Sequence, residues 1–597
     1  MLKSKIEFEY DNPRLFIENL KVPAMAYTTY FPELSCHGDF IKAGYNIFFV
    51  NVSFTTLPIN SITGISPFRV GVFENKDNPD YSEFENAVYD ILKEAPNAVI
   101  FPRINISMPK WWIEAHPGHV VATRNAGFRE ILFSDVFRSD AAVLLRKLIK
   151  HIKEADYSKN VGGWQICGGL TQEWFHHDYF GSLCEGAAEP YRKWVKENYN
   201  IDNAELPKKE DYEYSNIAQN ENENAVRYSL FCNLAVAETI DFFASVIKKE
   251  TNNSQIVGTF YGYAYQSNGR ALFGTHGLRR ILKSNNLDFF SSPNAYSNNR
   301  EFGIDWADMI PVDSVKLSKK LCFIECDIRT HLTKAIQEAR PNEYPDDVYR
   351  TKDGKSVWCG PPTEELSVMA LKKCFAHQIC KASAIWWFDM WGGWYRSEKM
   401  MRELAFMKKE YERELSAHIS PLKPQVVFFA DESAHANCFN NSPQLIRAEQ
   451  TRTAMGNTGV PFDCFMVEDA NFVLKNYKAA VFVMPIPSKA GEEAIRLCEK
   501  LNIPYISATA EKCSLTVDEL KEFYKSNNIH FFTSENDVVY LGNGYVGLHS
   551  KTAGRKKIKL PEKSVVSTVF GGSLKGEKTD LIEFDLEENS TALFLLS

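Results

Sequence analysis

The chain has 597 residues, which is too long for one hydrophobic core and predicts two to four domains. Its composition, 44% hydrophobic and 24% charged, is that of a folded globular protein. A net charge of −8 without a basic run argues against nucleic acid or an anionic membrane as a partner, and we identify no segment of about 20 apolar residues.

The N-terminal residues and the cysteines both indicate a cytoplasmic protein. The first 16 residues contain no apolar segment of the kind that a signal peptide requires. The 13 cysteines are scattered, and several lie inside apolar strands, as reduced core thiols do. Because no CxxC pair is present, we expect no structural zinc site.

Between residue 20 and about 410, short apolar strands alternate with amphipathic helical segments such as 82–95. The strands are apolar on successive residues, as strands buried on both faces are, and eight of them in order predict a (β/α)8 TIM barrel. The predicted strands are 22–27, 45–52, 97–104, 161–168, 255–262, 287–292, 320–326 and 383–389.

Two polar segments, at about 184–222 and at 339–362, interrupt this alternation. Each follows a strand that carries a candidate catalytic residue, so in a barrel both would lie at the rim formed by the carboxyl ends of the strands. They could shape a substrate site, and the alternative is that they are tolerated surface insertions.

A second alternation of strands and helices begins after residue 418 and predicts a smaller, flavodoxin-like α/β domain, with helices near 443–456 and 489–501. From about residue 530, short β-like pieces beginning with HFFTS predict an antiparallel β domain. The predicted limits are 1–418 for the catalytic barrel, 419–528 for the α/β domain and 529–597 for the C-terminal β domain.

Two glutamates, Glu173 and Glu325, each come just after or at the end of a buried strand, among aromatic, Gln, His, Asp and Arg residues. A carboxylate in such a setting is costly unless it is paired, and its pKa tends to be shifted. Strands four and seven face each other across a barrel mouth, so the two carboxyls could approach to about 5 Å, the separation of a retaining glycosidase. A glutamate of this kind, taken alone, is more often a surface residue or part of a local salt bridge.

Several neighbours of this pair are candidates for contacts with substrate. Tyr296, after the sixth strand, could hydrogen-bond the nucleophile and keep it ionised, while His176 and His177 could bind substrate or set the pKa of Glu173. Beyond Glu325, a local structural ion pair is the preferred interpretation of three polar residues: Asp327, Arg329 and His331.

The eighth strand, in SAIWWFDMWGGWY, brings four tryptophans near the predicted mouth: Trp386, Trp387, Trp391 and Trp394. Side chains alternate along a strand, so at least one of Trp386 and Trp387 belongs to the core, and an inward Trp could form the floor of a sugar subsite. The residues that we assign to substrate binding are Gln172, His176, Tyr296, Trp387, Trp391, Arg103 and Trp112.

The segments MPKWWIEAHPGH (108–119) and WQICGGLTQEW (164–174) resemble glycoside hydrolase clan A, most closely the family 42 β-galactosidases, whose order of barrel, trimerisation domain and β domain also matches. The resemblance implies a retaining mechanism with Glu173 as acid/base and Glu325 as nucleophile. It further implies a homotrimer assembled through the flavodoxin-like domain, a β-linked oligosaccharide or glycoside as substrate, and no metal or other cofactor.

The chain departs from the family pattern next to the predicted catalytic residues. Gln172 stands where clan A has an Asn that contacts the sugar 2-hydroxyl, and the Gly–Gly–x–Glu run that helps to hold galactose reads GGWY at 392–395. The zinc-binding cysteine cluster of the family is missing. We therefore predict a retaining, β-galactosidase-like exo-β-glycosidase; a β-mannosidase or other β-hexosidase of the clan, and a non-catalytic sugar-binding barrel, are the alternatives.

Overall fold

The structure is a computed structural model, which describes residues 1–213, 220–263, 271–296, 300–344, 358–416, 422–440, 443–484, 486–508, 512 and 514–597. Its main sheets are a closed parallel barrel, a four-stranded parallel sheet and a five-stranded antiparallel sheet. This is the predicted order of TIM barrel, flavodoxin-like domain and C-terminal β domain. The exact domain limits stay a prediction.

A small antiparallel sheet at the N-terminus precedes the barrel and was not predicted. Its strands are β1 (Ser4–Glu9), β2 (Asn12–Ile17) and β3 (Leu20–Val22). The turn between β1 and β2 places Tyr10 and Asp11 in the left-handed region, as a two-residue hairpin turn requires. The strands that pair into the closed barrel begin only after β3.

The barrel closes in the order β4-β5-β6-β9-β10-β11-β12-β13, with β13 pairing back to β4 and every pair parallel. Each strand lies within three residues of its predicted position, which confirms the predicted barrel. The strands are β4 (Met25–Thr28), β5 (Ile47–Ser53), β6 (Val99–Asn105), β9 (Gly163–Cys167), β10 (Ile256–Phe260), β11 (Phe289–Pro293), β12 (Leu321–Cys326) and β13 (Ala384–Phe388). A hairpin of β7 (Val120–Ala122) and β8 (Phe128–Glu130) follows β6.

Helices connect these strands and pack outside them. They are α1 (His37–Lys42), α2 (Ser82–Glu94), α3 (Lys110–Ala115), α4 (Asp135–Glu154), α5 (Ala188–Tyr199), α6 (Glu223–Glu250), α7 (Leu278–Leu282), α8 (Val312–Leu317), α9 (Ile336–Ala339), α10 (Glu364–Lys381) and α11 (Glu398–Glu414). Helix α6 is long and apolar enough to cross a membrane by length and composition alone. Because 67% of its most apolar stretch is buried and it packs on α4, β9 and β10, it is better explained as a core helix.

The parallel sheet that follows has the order β15-β14-β16-β17, which is the flavodoxin-like arrangement. Its strands are β14 (Val426–Ala430), β15 (Phe462–Met466), β16 (Ala479–Phe482) and β17 (Tyr505–Ser507). Four helices accompany them, namely α12 (Pro443–Gly456), α13 (Ala470–Val473), α14 (Lys489–Leu501) and α15 (Val517–Ser526). Helices α12 and α14 have the predicted bounds.

The C-terminal sheet is antiparallel as predicted, with the order β18-β19-β22-β20-β21. Its strands are β18 (Val538–Gly542), β19 (Tyr545–Ser550), β20 (Gly554–Phe570), β21 (Lys575–Leu586) and β22 (Ser590–Leu596). The segment HFFTS at 530–534, predicted as a strand, is not one. The long strand β20, whose many lysines and serines hid its alternation, takes its place in the sheet.

Aromatic rings fill the inside of the barrel below its mouth. Phe49 contacts Phe101, Phe323 and Trp386, with ring centroids 4.9 to 5.4 Å apart. Gly163 faces Phe101 so closely that a Cβ atom would stand 2.3 Å from the ring, which explains why a glycine occupies this strand position. The floor of the mouth is therefore a rigid, apolar layer.

Candidate active site

Glu173 lies in a short loop after β9, the fourth barrel strand. Three residues of this loop, Thr171, Gln172 and Trp174, have φ values of 59°, 67° and 61°, a region that is costly for side chains other than Gly and Asn. The loop is held in this form because Trp174 is buried and its Nε1 donates to the hydroxyl of Thr259, 3.0 Å away on β10. The strained backbone thus places Glu173 on a fixed support.

The Glu173 carboxyl is partly exposed and accepts two hydrogen bonds. The hydroxyl of Tyr263 donates to its Oε1 over 2.7 Å, and the hydroxyl of Thr171 donates to its Oε2. The pKa of Glu173 is raised to about 7, because the effect of burial outweighs the two hydrogen bonds and the positive charge of Arg103, which lower it. A carboxyl with this pKa can both give and take a proton near neutral pH.

Glu325 is the fifth residue of β12, the seventh barrel strand, and only 3% of its surface is exposed. Among the residues that the structure describes, none donates a hydrogen bond to its carboxyl group. Burial, together with the charges of Asp327 and Glu173, raises the pKa of Glu325 well above its usual value, and Arg103 and Arg329 oppose this rise. The charge of Glu173 thus acts on Glu325, and the two carboxyls interact electrostatically at the barrel mouth.

Arg103, assigned to substrate binding, is buried in this mouth. Its Nη1 donates to Asn51 over 3.1 Å, and its Cζ lies 5.0 Å from the ring centroid of Trp386 and 5.2 Å from that of Tyr30. The Tyr30 hydroxyl in turn approaches Oε1 of Gln172 at 3.4 Å. The structure thus brings Arg103 and Gln172 together with the two glutamates, and their roles in substrate binding stay a prediction.

Asp327 forms the centre of an ion-pair cluster beside Glu325. Arg300 contacts its Oδ1 at 2.6 Å, Arg329 donates to its Oδ2, and the Tyr296 hydroxyl donates to the same oxygen over 3.1 Å. The predicted local ion pair is therefore present. Tyr296 differs from its prediction, because its hydroxyl donates to Asp327 and not to Glu325.

The tryptophans of β13 divide between the barrel interior and the core. Trp386 faces inward and stacks on Phe388 at 5.3 Å, whereas Trp387 points outward and donates from Nε1 to the Tyr45 hydroxyl over 3.0 Å. The assignment of Trp387 to substrate binding is therefore wrong, and the inward residue of the pair is Trp386. Trp391 lies against Tyr30 at 5.9 Å, which keeps it at the mouth.

Two other residues assigned to substrate binding are structural. His176 is fully buried, with Nδ1 3.2 Å from the Ser182 hydroxyl and Nε2 3.1 Å from the Cys232 carbonyl, so neither nitrogen is left for a sugar. Trp112 is buried in the core, where its Nε1 donates to Asp140 over 2.8 Å. Both assignments conflict with the burial of these side chains.

His177 belongs to a buried charged cluster beneath the Glu173 loop. Its Nε2 lies 3.4 Å from Glu130, whose second oxygen lies 3.5 Å from Nε of Arg129. Burial alone would raise the pKa of Glu130, but the charge of Arg129 and the bond from His177 outweigh it and lower this pKa to about 2. Arg129 also donates to the carbonyl of Pro58, so the cluster ties two loops of the rim together.

Four residues that complete the site were not predicted from the sequence: Tyr263, Tyr30, Asn51 and Arg300. Each lies near or just beyond the carboxyl end of a barrel strand, and this position was the signal available. Within the described parts of the chain, the structure contains no group of three His, Cys, Asp or Glu residues that could hold a metal ion.

Comparison with known proteins agrees with this geometry. Residues 63–269 match the model of glycoside hydrolase family 42, described as beta-galactosidase. No curated protein matches the chain.

Among solved structures, the β-galactosidase of Bacillus circulans sp. alkalophilus is 12% identical with a TM-score of 0.60. The match covers 96% of this chain and 99% of the β-galactosidase chain. The β-galactosidase of the psychrophilic Marinomonas ef1 is 10% identical with a TM-score of 0.60, covering 96% and 100%. A family 42 exo-carrageenase from Bacteroides ovatus is 14% identical with a TM-score of 0.60, covering 99% and 84%. The chain therefore resembles the family 42 β-galactosidases over the residues that the family model matches, and it shares the fold of these solved structures.

Proposed function

We propose that the chain is a retaining exo-β-glycosidase that hydrolyses terminal β-linked hexosides, with Glu173 as the acid/base and Glu325 as the nucleophile. The family match and the fold support a β-galactosidase-like glycoside hydrolase. The observation that carries the finer assignment is that one barrel mouth holds a partly exposed carboxyl with a pKa of about 7 and a buried carboxyl at the end of the seventh strand.

In the first step, a carboxylate oxygen of Glu325 attacks the anomeric carbon, and the bond from this carbon to the leaving oxygen breaks. Protonated Glu173 gives its proton to that oxygen, so the aglycone leaves as a neutral alcohol and Glu325 carries the glycosyl group. Arg103 and Arg329 favour the ionised form of Glu325 through their positive charge. This step therefore requires the state in which Glu173 is protonated and Glu325 is ionised.

In the second step, the Glu173 carboxylate removes a proton from water, and the water oxygen attacks the anomeric carbon. The bond to Glu325 breaks, which restores both carboxyls and gives a product with the β configuration of the substrate. The hydrogen bonds from Tyr263 and Thr171 hold Glu173 in one orientation for both transfers. They also offset part of the effect of burial, which keeps its pKa near neutrality.

The sugar is the open part of the proposal. Gln172 lies beside Tyr30 at the mouth, and it replaces the Asn of the clan pattern. A β-mannoside or another β-hexoside is the second candidate within the same mechanism. We also propose that the chain forms a homotrimer in the cytoplasm, and light scattering that gives a monomer mass would remove the trimer.

A panel of nitrophenyl β-galactoside, β-mannoside, β-glucoside and β-fucoside, hydrolysed by the wild type and by Glu173→Ala and Glu325→Ala, tests the function. We expect turnover of at least one substrate by the wild type and loss of it in both variants. Glu154→Ala, on the exposed face of α4, is the matched control. Undiminished turnover in either active-site variant refutes the assignment, and sugar binding without any turnover would favour a non-catalytic barrel.

A further inference from the structure

Arg329 is a buried cation with only part of its hydrogen-bonding capacity used. Only 5% of the residue's surface is exposed, and Nη1 donates to Asp327. Nε and Nη2 are buried and have no acceptor among the described residues. Buried N–H groups without an acceptor cost free energy and are rare in folded proteins, so their presence at a binding site points to an acceptor that a ligand supplies.

Trp394 contributes a further unsatisfied donor beside this guanidinium. The Cζ atom of Arg329 lies 5.0 Å from the Trp394 ring centroid and 4.9 Å from that of Trp358, so two indoles flank it. The Nε1 of Trp394 is buried and, within the part of the chain that the structure describes, has no acceptor either. Two adjacent side chains therefore present three donor nitrogen atoms, and the carboxylate of Asp327 beside them already contacts Arg329, Tyr296 and Arg300.

The charges of this part of the mouth do not balance. Asp327 contacts both Arg300 and Arg329, so one carboxylate faces two guanidinium groups. With Glu173 protonated and Glu325 ionised, three arginines face two carboxylates, and the third arginine is Arg103. The mouth thus has one positive charge in excess in the state that binds substrate.

The type of unsatisfied group indicates the type of ligand. A sugar hydroxyl accepts hydrogen bonds but also has a proton to donate, and Arg329 and Trp394 offer no acceptor for it. An oxyanion carries acceptors only, and its negative charge compensates the excess positive charge. An arginine flanked by aromatic faces is well suited to hold such a planar or tetrahedral anion.

We propose that Arg329 and Trp394 form a subsite for an anionic substituent, a sulfate ester or a carboxylate, so that the substrate is an acidic glycoside. The inference rests on the proposed function, since it names the class of substrate for the same mouth. It adds a specificity determinant next to the nucleophile, and Asp327 and Arg300 act as the positioning residues that orient Arg329.

Titration of the whole protein with sodium sulfate, and separately with sodium acetate, at constant ionic strength in chloride tests the subsite, with calorimetry and tryptophan fluorescence as readouts. We expect saturable binding of at least one anion, and a dissociation constant that rises at least tenfold in Arg329→Gln and less in Arg329→Lys. Stronger binding of sulfate indicates a sulfate ester, and stronger binding of acetate indicates a uronic acid. Melting curves establish that each variant is folded.

Arg146→Gln is the matched control, because it removes a guanidinium from the exposed side of α4 and leaves the donors of Arg329 in place. We expect it to change anion affinity by less than threefold. The absence of saturable binding by the wild type, or equal losses in both variants, overturns the inference.

A second measurement uses turnover. The ratio of kcat/KM for the nitrophenyl β-galactoside 6-sulfate or the β-galacturonide to kcat/KM for the neutral galactoside should fall at least tenfold in Arg329→Gln, and an unchanged ratio for both anionic substrates contradicts the subsite. Anion binding can be measured in Glu325→Gln, which has no nucleophile. Failure of the catalytic assignment is therefore distinguishable from failure of the subsite.

Discussion

The hydroxyl of Tyr263 donates a hydrogen bond to the Glu173 carboxyl over 2.7 Å, from the end of one barrel strand to the loop after its neighbour. The bond stabilises the ionised carboxylate and so opposes the effect of burial, which leaves the pKa of Glu173 at about 7. A substitution of Tyr263 can therefore change the pKa of Glu173 while the Glu173 side chain itself is kept.

Tyr263→Phe should therefore raise the pKa of Glu173. Because the protonated form is the proton donor, activity is lost as pH rises through this pKa, and the basic limb of the kcat/KM profile should move up by about 0.5 to 1 pH unit. The profile is measured on the best nitrophenyl glycoside, with Tyr89→Phe, a surface tyrosine, as control. A basic limb that stays in place or moves to lower pH contradicts this role.

Glu325→Ala should reduce kcat by roughly 10⁴-fold, because the first step loses its nucleophile. Azide can occupy the space that the carboxylate leaves and attack the anomeric carbon from the same face. The expected product is an α-glycosyl azide, identified by NMR. In Glu173→Ala, azide should instead act on the glycosyl-enzyme and give the β-azide, so a product of the same configuration in both variants would contradict the assigned roles.

Glu130→Gln should lower the free energy of unfolding by about 3 to 5 kcal/mol, because it leaves Arg129 buried without its carboxylate. The lowered pKa of Glu130, about 2, means that its contribution is complete above the unfolded-state value near 4.3 and is lost as pH falls toward 2. Urea denaturation at several pH values should show a weaker acid dependence in the variant. Glu154→Gln serves as the surface control. A free energy of unfolding of Glu130→Gln equal to that of the wild type would refute the prediction.

Trp387→Phe should affect stability and leave catalysis nearly unchanged. The variant loses the hydrogen bond to Tyr45 and some buried volume, at a cost of about 1 to 3 kcal/mol. We expect kcat/KM to change by less than twofold. A large change in KM with unchanged stability would contradict this prediction and would indicate that Trp387 contacts the sugar.

Strands that are buried on both faces are the part of the fold that the sequence reveals best. The barrel strands are continuous apolar runs, such as IFFVNVS in β5, and a short run of this kind is typical of a parallel strand covered on both sides. Strand β1, SKIEFE, alternates partly exposed residues over a short length, and its turn at Tyr10 and Asp11 was the signal that could have found it. Strand β20 was likewise not predicted, because its many lysines mask the alternation of buried and exposed residues.

In the site, the strand ends could be predicted but not the directions of the side chains. Glu173 and Glu325 follow from position alone, because both stand at the carboxyl ends of barrel strands. The choice between Trp386 and Trp387 depends on the register of β13, and a shift of one residue exchanges them. His176 was misassigned for a different reason, since its partner Cys232 lies on a separate helix that the sequence does not place beside it.

The ring of Tyr395 occupies the position that the family pattern gives to a galactose-binding glutamate. It is fully buried, its hydroxyl donates to the carbonyl of Cys326 over 3.2 Å, and its ring contacts Phe40 and Trp387. A change to Glu at this position would put a carboxylate among aromatic rings and not in the mouth. A galactose-binding carboxylate would therefore require a rebuilt loop after β13, so one substitution cannot undo the divergence of this chain from its relatives.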